Sequence, residues 1–106
     1  MQTLDIEIKN VIGSFKNGDI NYEIVDIGNI VFPNGQLYFP NTYIINLNTN
    51  EQIPVTNMYK SGVIDFKFDN KNQEIHLYGN NTGQGFDWDR YNLEGSYLGY
   101  INEDDT

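Results

Sequence analysis

The stretch that decides the fold runs Val63-Ile64-Asp65-Phe66-Lys67-Phe68-Asp69-Asn70-Lys71-Asn72-Gln73-Glu74-Ile75-His76-Leu77-Tyr78. Val63, Asp65 and Lys67 alternate with Ile64, Phe66 and Phe68, and Ile75 and Leu77 alternate with His76 and Tyr78. Between the two runs, Asp69–Gln73 is a polar turn. Apolar residues at a period of two place alternate side chains on opposite faces, so each run reads as a half-buried strand and the whole as a hairpin.

The pattern extends toward the N-terminus. Leu4, Ile6 and Ile8 alternate with Asp5, Glu7 and Lys9, and Val11-Ile12 then breaks the phase, which predicts a bulge near Asn10. Asn17-Gly18 and Asn34-Gly35 are hairpin signals, because asparagine and glycine tolerate the positive φ of a type I′ turn. They join a strand near Asp19–Ile27, with Ile20, Tyr22 and Ile24 on one face, to further strands around 29–32 and from Gln36. Pro40 predicts an edge or a bend. Tyr43–Leu47 and Gln52–Asn57 continue as strands across the turn Asn48-Thr49-Asn50-Glu51. The recurring aromatic-x-Asn-Gly element is shared turn chemistry at irregular spacing, and no repeat or family follows from it.

Toward the C-terminus, Gly79–Gly85 reads as a flexible loop. Phe86–Leu93 is compatible with one short helical turn or a structured loop, and Glu94–Asn102 with a last strand carrying Tyr97 and Ile101 on one face. The expected fold is all-β: an antiparallel meander of about seven or eight short strands, closing as a small barrel or a sandwich, in a single domain over residues 1–106. Composition agrees. The chain has no alanine, the best helix former, and its apolar content is isoleucine, valine, tyrosine and phenylalanine.

Fifteen acidic against six basic residues give a net charge of −9. That charge repels phosphate backbones and anionic membranes and favours basic surfaces, although acidity also serves solubility. There is no cysteine, which excludes disulfides and thiolate chemistry. The N-terminus resembles no signal peptide and no window is long and apolar enough to span a membrane, so a cytoplasmic location is expected.

No catalytic grouping stands out. The single histidine, His76, is an outward or rim residue of its strand and lacks a local nucleophile. Asp5 and Glu7 share a solvent face. Asp87 and Asp89 flank Trp88 and could hold a cation or a sugar, but a glycosidase cleft is hard to build on so small a sheet. Asp69-Asn70-Lys71-Asn72-Gln73-Glu74 begins like a calcium loop, yet Lys71 and Glu74 occupy its third and sixth positions. Gly83-Gln84-Gly85 lacks the lysine of a phosphate-binding loop. The expectation is a non-catalytic protein with no cofactor and no metal site.

Aromatic residues remain. Tyrosine and tryptophan offer large rigid faces with a polar tip and are enriched at binding hot spots, although they also pack sheet faces. The expected contact residues are Asp87, Trp88, Asp89, Tyr91, Glu94, Tyr97 and Tyr100. The expected partner is a basic protein: a nuclease, toxin or nucleic-acid-binding effector, blocked by a stoichiometric inhibitor or immunity protein that mimics nucleic-acid charge. Asparagine-rich, alanine-free composition suggests an AT-rich bacterial or phage source. The alternatives are a carbohydrate-binding β-sandwich module and a structural or virion-associated oligomeric β domain.

Overall fold

A computed structural model of the chain describes residues 4–32, 36–57, 59, 62–80 and 86–101, with the backbone alone described for 4–6, 29–32 and 36–40. Eight strands form in chain order: β1 Leu4–Asn17, β2 Ile20–Phe32, β3 Gln36–Asn46, β4 Glu51–Pro54, β5 Asp65–Asp69, β6 Glu74–Asn80, β7 Phe86–Asn92 and β8 Tyr97–Ile101. They make two antiparallel four-stranded sheets, β1-β2-β3-β4 and β5-β6-β7-β8, each a meander of consecutive strands. The sheets face one another as a sandwich rather than closing into a barrel. Among the described residues no helix is long and apolar enough to cross a membrane.

Bulges and turns set the register. Pairing in β1–β2 shifts between Val11 and Gly13, which places the expected bulge at Ile12. Asn17 pairs with Ile20, so the two-residue loop is Gly18-Asp19 rather than Asn17-Gly18. Gly18 has φ 61° while Asp19 stays outside positive φ, the backbone pattern of a type II′ turn, not I′. β2 continues through Phe32 as one strand, and β3 runs through Pro40 without ending. The β2–β3 register slips there, between Ile27 and Asn29 on one strand and Tyr38 and Asn41 on the other, so the proline that cannot donate falls at an irregularity. Residues 33–35 of the second Asn-Gly turn lie outside the described residues, as do 81–85 of the predicted glycine loop. Gly79 and Asn80 of that loop belong instead to β6.

The core sits between the sheets. Tyr22, Ile24 and Ile44 from the first sheet meet Ile75, Leu77 and Tyr91 from the second, with Val55, Tyr59 and Val63 of the connecting segment closing between them. Ile24, Ile44, Ile75 and Leu77 are fully buried, and each contributes about 1.5–3 kcal/mol of apolar burial. Phe15 stacks on Tyr22 at 5.0 Å and on Phe68 at 4.6 Å, carrying the apolar contact from one sheet to the other.

The helical turn expected over Phe86–Leu93 is not there. Phe86–Asn92 is strand β7, paired along its length with β6 from Asn80↔Phe86 to Glu74↔Asn92. Period-two geometry turns Asp87, Asp89 and Tyr91 to the core side and Phe86, Trp88 and Arg90 outward. A second bulge, between Arg90 and Tyr91 in the β7–β8 ladder, pairs Tyr91 with Tyr97 but Trp88 with Ile101. Directly opposed residues share a face. Tyr97 and Ile101 therefore stand on opposite faces, contrary to the unbroken alternation read from sequence.

Candidate functional site

The residues singled out by sequence divide into three groups. Asp89 and Tyr91 are buried in the core. The Tyr59 hydroxyl donates to Asp89 Oδ2 at 2.5 Å and lies 2.6 Å from the Tyr91 hydroxyl. A phenol has one proton, and that of Tyr59 goes to the carboxylate, so Tyr91 donates to Tyr59. Burial, reinforced by Asp89, pushes the Tyr59 hydroxyl far above its ordinary pKa, and burial raises that of Tyr91 as well. These groups hold their protons and tie the connecting segment to β7. They are not surface contacts, and Asp87 and Asp89 do not form an exposed carboxylate pair.

The second group gathers at the open side of β8. Asp87 is exposed, and Tyr97 and Tyr100 are 42% and 62% exposed. Tyr100 pairs with Asp89 and Tyr97 with Tyr91, so both tyrosines lie on the core-side face of the sheet, where β8 is the edge strand. The Tyr97 ring meets Tyr91 edge-on at 5.8 Å. Its hydroxyl is held above the ordinary tyrosine pKa by partial burial first, then by the negative charges of Asp89, Tyr100 and Asp87. Glu94 is exposed in the β7–β8 turn, where its N–H donates to Asn92 Oδ1.

Trp88 is on the outward face, away from that group. Tyr78 packs against it at 5.1 Å and against Phe86 at 5.9 Å, and the Lys67 ammonium lies 4.5 Å from the Trp88 ring centroid. Tyr78 and Phe86 were absent from the sequence-derived set. The signal for Tyr78 was present in its alternation with Leu77, but its neighbour Trp88 comes from a strand that the sequence did not reveal.

Farther along the same outward face lies an ion-pair cluster. Arg90 forks onto Glu74 through Nε to Oε1 at 2.9 Å and Nη2 to Oε2 at 2.6 Å, and His76 Nε2 lies 3.1 Å from Oε1. Arg90, opposing desolvation, holds the Glu74 carboxyl down at a pKa of about 2. Asp69, Glu74 and His76 each offer one donor atom within 4.8 Å of the others, the one such group of three among the described residues. The Arg90 guanidinium occupies both Glu74 oxygens, and Asp69 accepts from the Asn72 backbone and side chain to close the β5–β6 turn. The cluster as it stands is a hydrogen-bonded surface network holding a hairpin, as the turn reading of Asp69–Gln73 anticipates.

Compared with known proteins, the chain matches no family model, no curated protein and no solved structure.

Proposed function

We propose that this protein is a non-catalytic binder of a basic protein, acting stoichiometrically in the manner of an inhibitor or immunity protein. The observation that carries the reading is that six carboxylates stand exposed and, among the described residues, outside any ion pair. Glu7, Asp19, Glu51, Asp65, Asp87 and Glu94 are exposed. Among the described residues the ion pairs are Lys9–Glu23, His76–Glu74 and Arg90–Glu74, so none of those six carboxylates is in one. An outward field of one sign accelerates encounter with the opposite sign and suppresses wrong partners. Nucleases, toxins and nucleic-acid-binding effectors present such basic surfaces.

The test is affinity capture from a bacterial or phage-infected lysate at low and then high salt, with proteins identified by mass spectrometry. Capture of one basic protein, weakened by salt and inhibited in its own assay by this chain at a one-to-one ratio, supports the reading. Capture of none retires it. A second reading, carbohydrate binding, is favoured by the outward row of Tyr78, Phe86 and Trp88, whose rings could stack on sugar faces. Retention on a polysaccharide affinity gel, lost in Trp88→Ala, supports that alternative.

A further inference from the structure

Seven large apolar side chains stand well exposed among the described residues, and three of them, Tyr97, Leu98 and Tyr100, belong to the five-residue strand β8. They stand together at one edge of the sheet. Exposed aromatic and aliphatic side chains set together are the composition of an interface centre.

The charged groups described on this face of β7 are acidic. Asp87 stands exposed on the same face of the sheet, and Asp89 lies buried beneath, opposite Tyr100 in the ladder. Partial burial first, and then the carboxylates Asp89 and Asp87, hold the Tyr97 hydroxyl above its ordinary pKa. The arginine of the adjacent strand, Arg90, is turned to the other face and forked onto Glu74. Tyrosine rings beside carboxylates suit a guanidinium or ammonium, which takes the ring face by cation–π attraction and the carboxylate by a charged hydrogen bond.

The backbone argues against a different mode of contact. An edge strand invites addition of another strand, but the register shift opposite Arg90/Tyr91 and Gly99 at φ 126° break the flat ladder that strand addition needs. Contact at this edge is therefore made by side chains.

We propose that Asp87, Tyr97, Leu98 and Tyr100 form the docking strip through which the protein receives arginine or lysine side chains of its partner. This rests on the basic-partner reading above and gives that reading a place. The probe is an oligoarginine peptide, titrated calorimetrically at low salt into the wild-type chain and into two variants of matched charge. One is Asp87→Asn with Tyr97→Ala and Tyr100→Ala; the other is Asp19→Asn with Trp88→Ala, away from the strip. Thermal melts confirm that each is folded, and single Tyr100→Ala serves if the triple variant is not.

The expected result is a loss of roughly tenfold or more in affinity for the strip variant and little change for the other. An equal loss in both means diffuse charge attraction and overturns the strip while leaving the basic-partner reading intact. A loss confined to the second variant moves the site off the strip and overturns it likewise. Absence of binding by the wild type overturns both, and binding of neutral oligosaccharide at Trp88 would then take their place.

Discussion

Tyr59, in the segment connecting the two sheets, places its hydroxyl 2.5 Å from Asp89 Oδ2 on β7, joining residues 30 positions apart in the buried interior. A carboxylate on the core-side face of a strand is expensive unless it is hydrogen-bonded. Here the partner comes from the one stretch of chain that passes between the sheets.

Tyr59→Phe keeps the ring and removes the bridge. Asp89 loses a donor and Tyr91 an acceptor, so the expected cost is about 1–3 kcal/mol in denaturant unfolding. Combined with Asp89→Asn, the two should be non-additive by about 0.5 kcal/mol or more, because they share one interaction. Strict additivity would mean that the bond contributes nothing of its own.

Tyr59 packs directly over Gly79 of β6. A Cβ at this position would sit 2.8 Å from Tyr59 Cδ1 and 3.4 Å from the Gly62 carbonyl oxygen. Gly79→Ala should destabilise by about 1–3 kcal/mol through overpacking. In a Tyr59→Ala background the same substitution should cost much less, a comparison that thermal melts can make.

Asp26 is fully buried, accepting from Thr42 Oγ1 at 2.5 Å and from the Val63 N–H at 2.7 Å. Burial raises its carboxyl above the ordinary 3.8, against the pull of those two bonds. The folded state thus keeps a proton that the unfolded state releases. This contribution to stability is full below 3.8 and declines as pH rises through the folded pKa. Asp26→Asn, which cannot ionise, should flatten that decline in urea unfolding followed from about pH 3 to pH 7. An unchanged profile would assign the slope to other groups.

Glu74 acts in the opposite sense. Its carboxyl is held at about 2 by Arg90, against 4.5 when free, so its contribution is full above 4.5 and is lost as pH falls through about 2. Glu74→Gln should shallow the acid limb of the stability profile while leaving the Asp26 slope in place. Arg90→Met should shallow the same limb. If Arg90→Met leaves it unchanged, the guanidinium is not what holds the carboxyl down.

Much of the architecture was legible because the side chains that face the core in β5 and β6 are apolar and their neighbours are not. Ile75, Leu77 and the outward His76 fall where the alternation puts them. β7 was illegible for a specific reason. Its core-facing positions hold Asp87, Asp89 and Tyr91, so the polar residues fall where a strand pattern expects apolar ones. What makes a buried aspartate tolerable is a tyrosine from a distant segment, and no local window contains that information.

The candidate site fared similarly. Tyr97, Tyr100 and Asp87 were named from composition and fall on one face of the sheet, whereas Trp88 parts from them because adjacent residues on a strand face opposite ways. Asp89 and Tyr91 joined the core once their strand was paired. The phase error at Tyr97 and Ile101 came from a single bulged residue, which composition cannot announce.

The order of the strands has a consequence for how the chain reaches this structure. Every ladder joins chain neighbours, so each half can zip up hairpin by hairpin without a crossover between its strands. Docking of one half on the other brings together the residues farthest apart in the chain, such as Asn17 and Gln73, and Tyr59 with Val63 lies at that junction. The closing of the connecting segment is therefore expected to be a late event on the folding route. Substitutions there should accelerate unfolding far more than they retard folding.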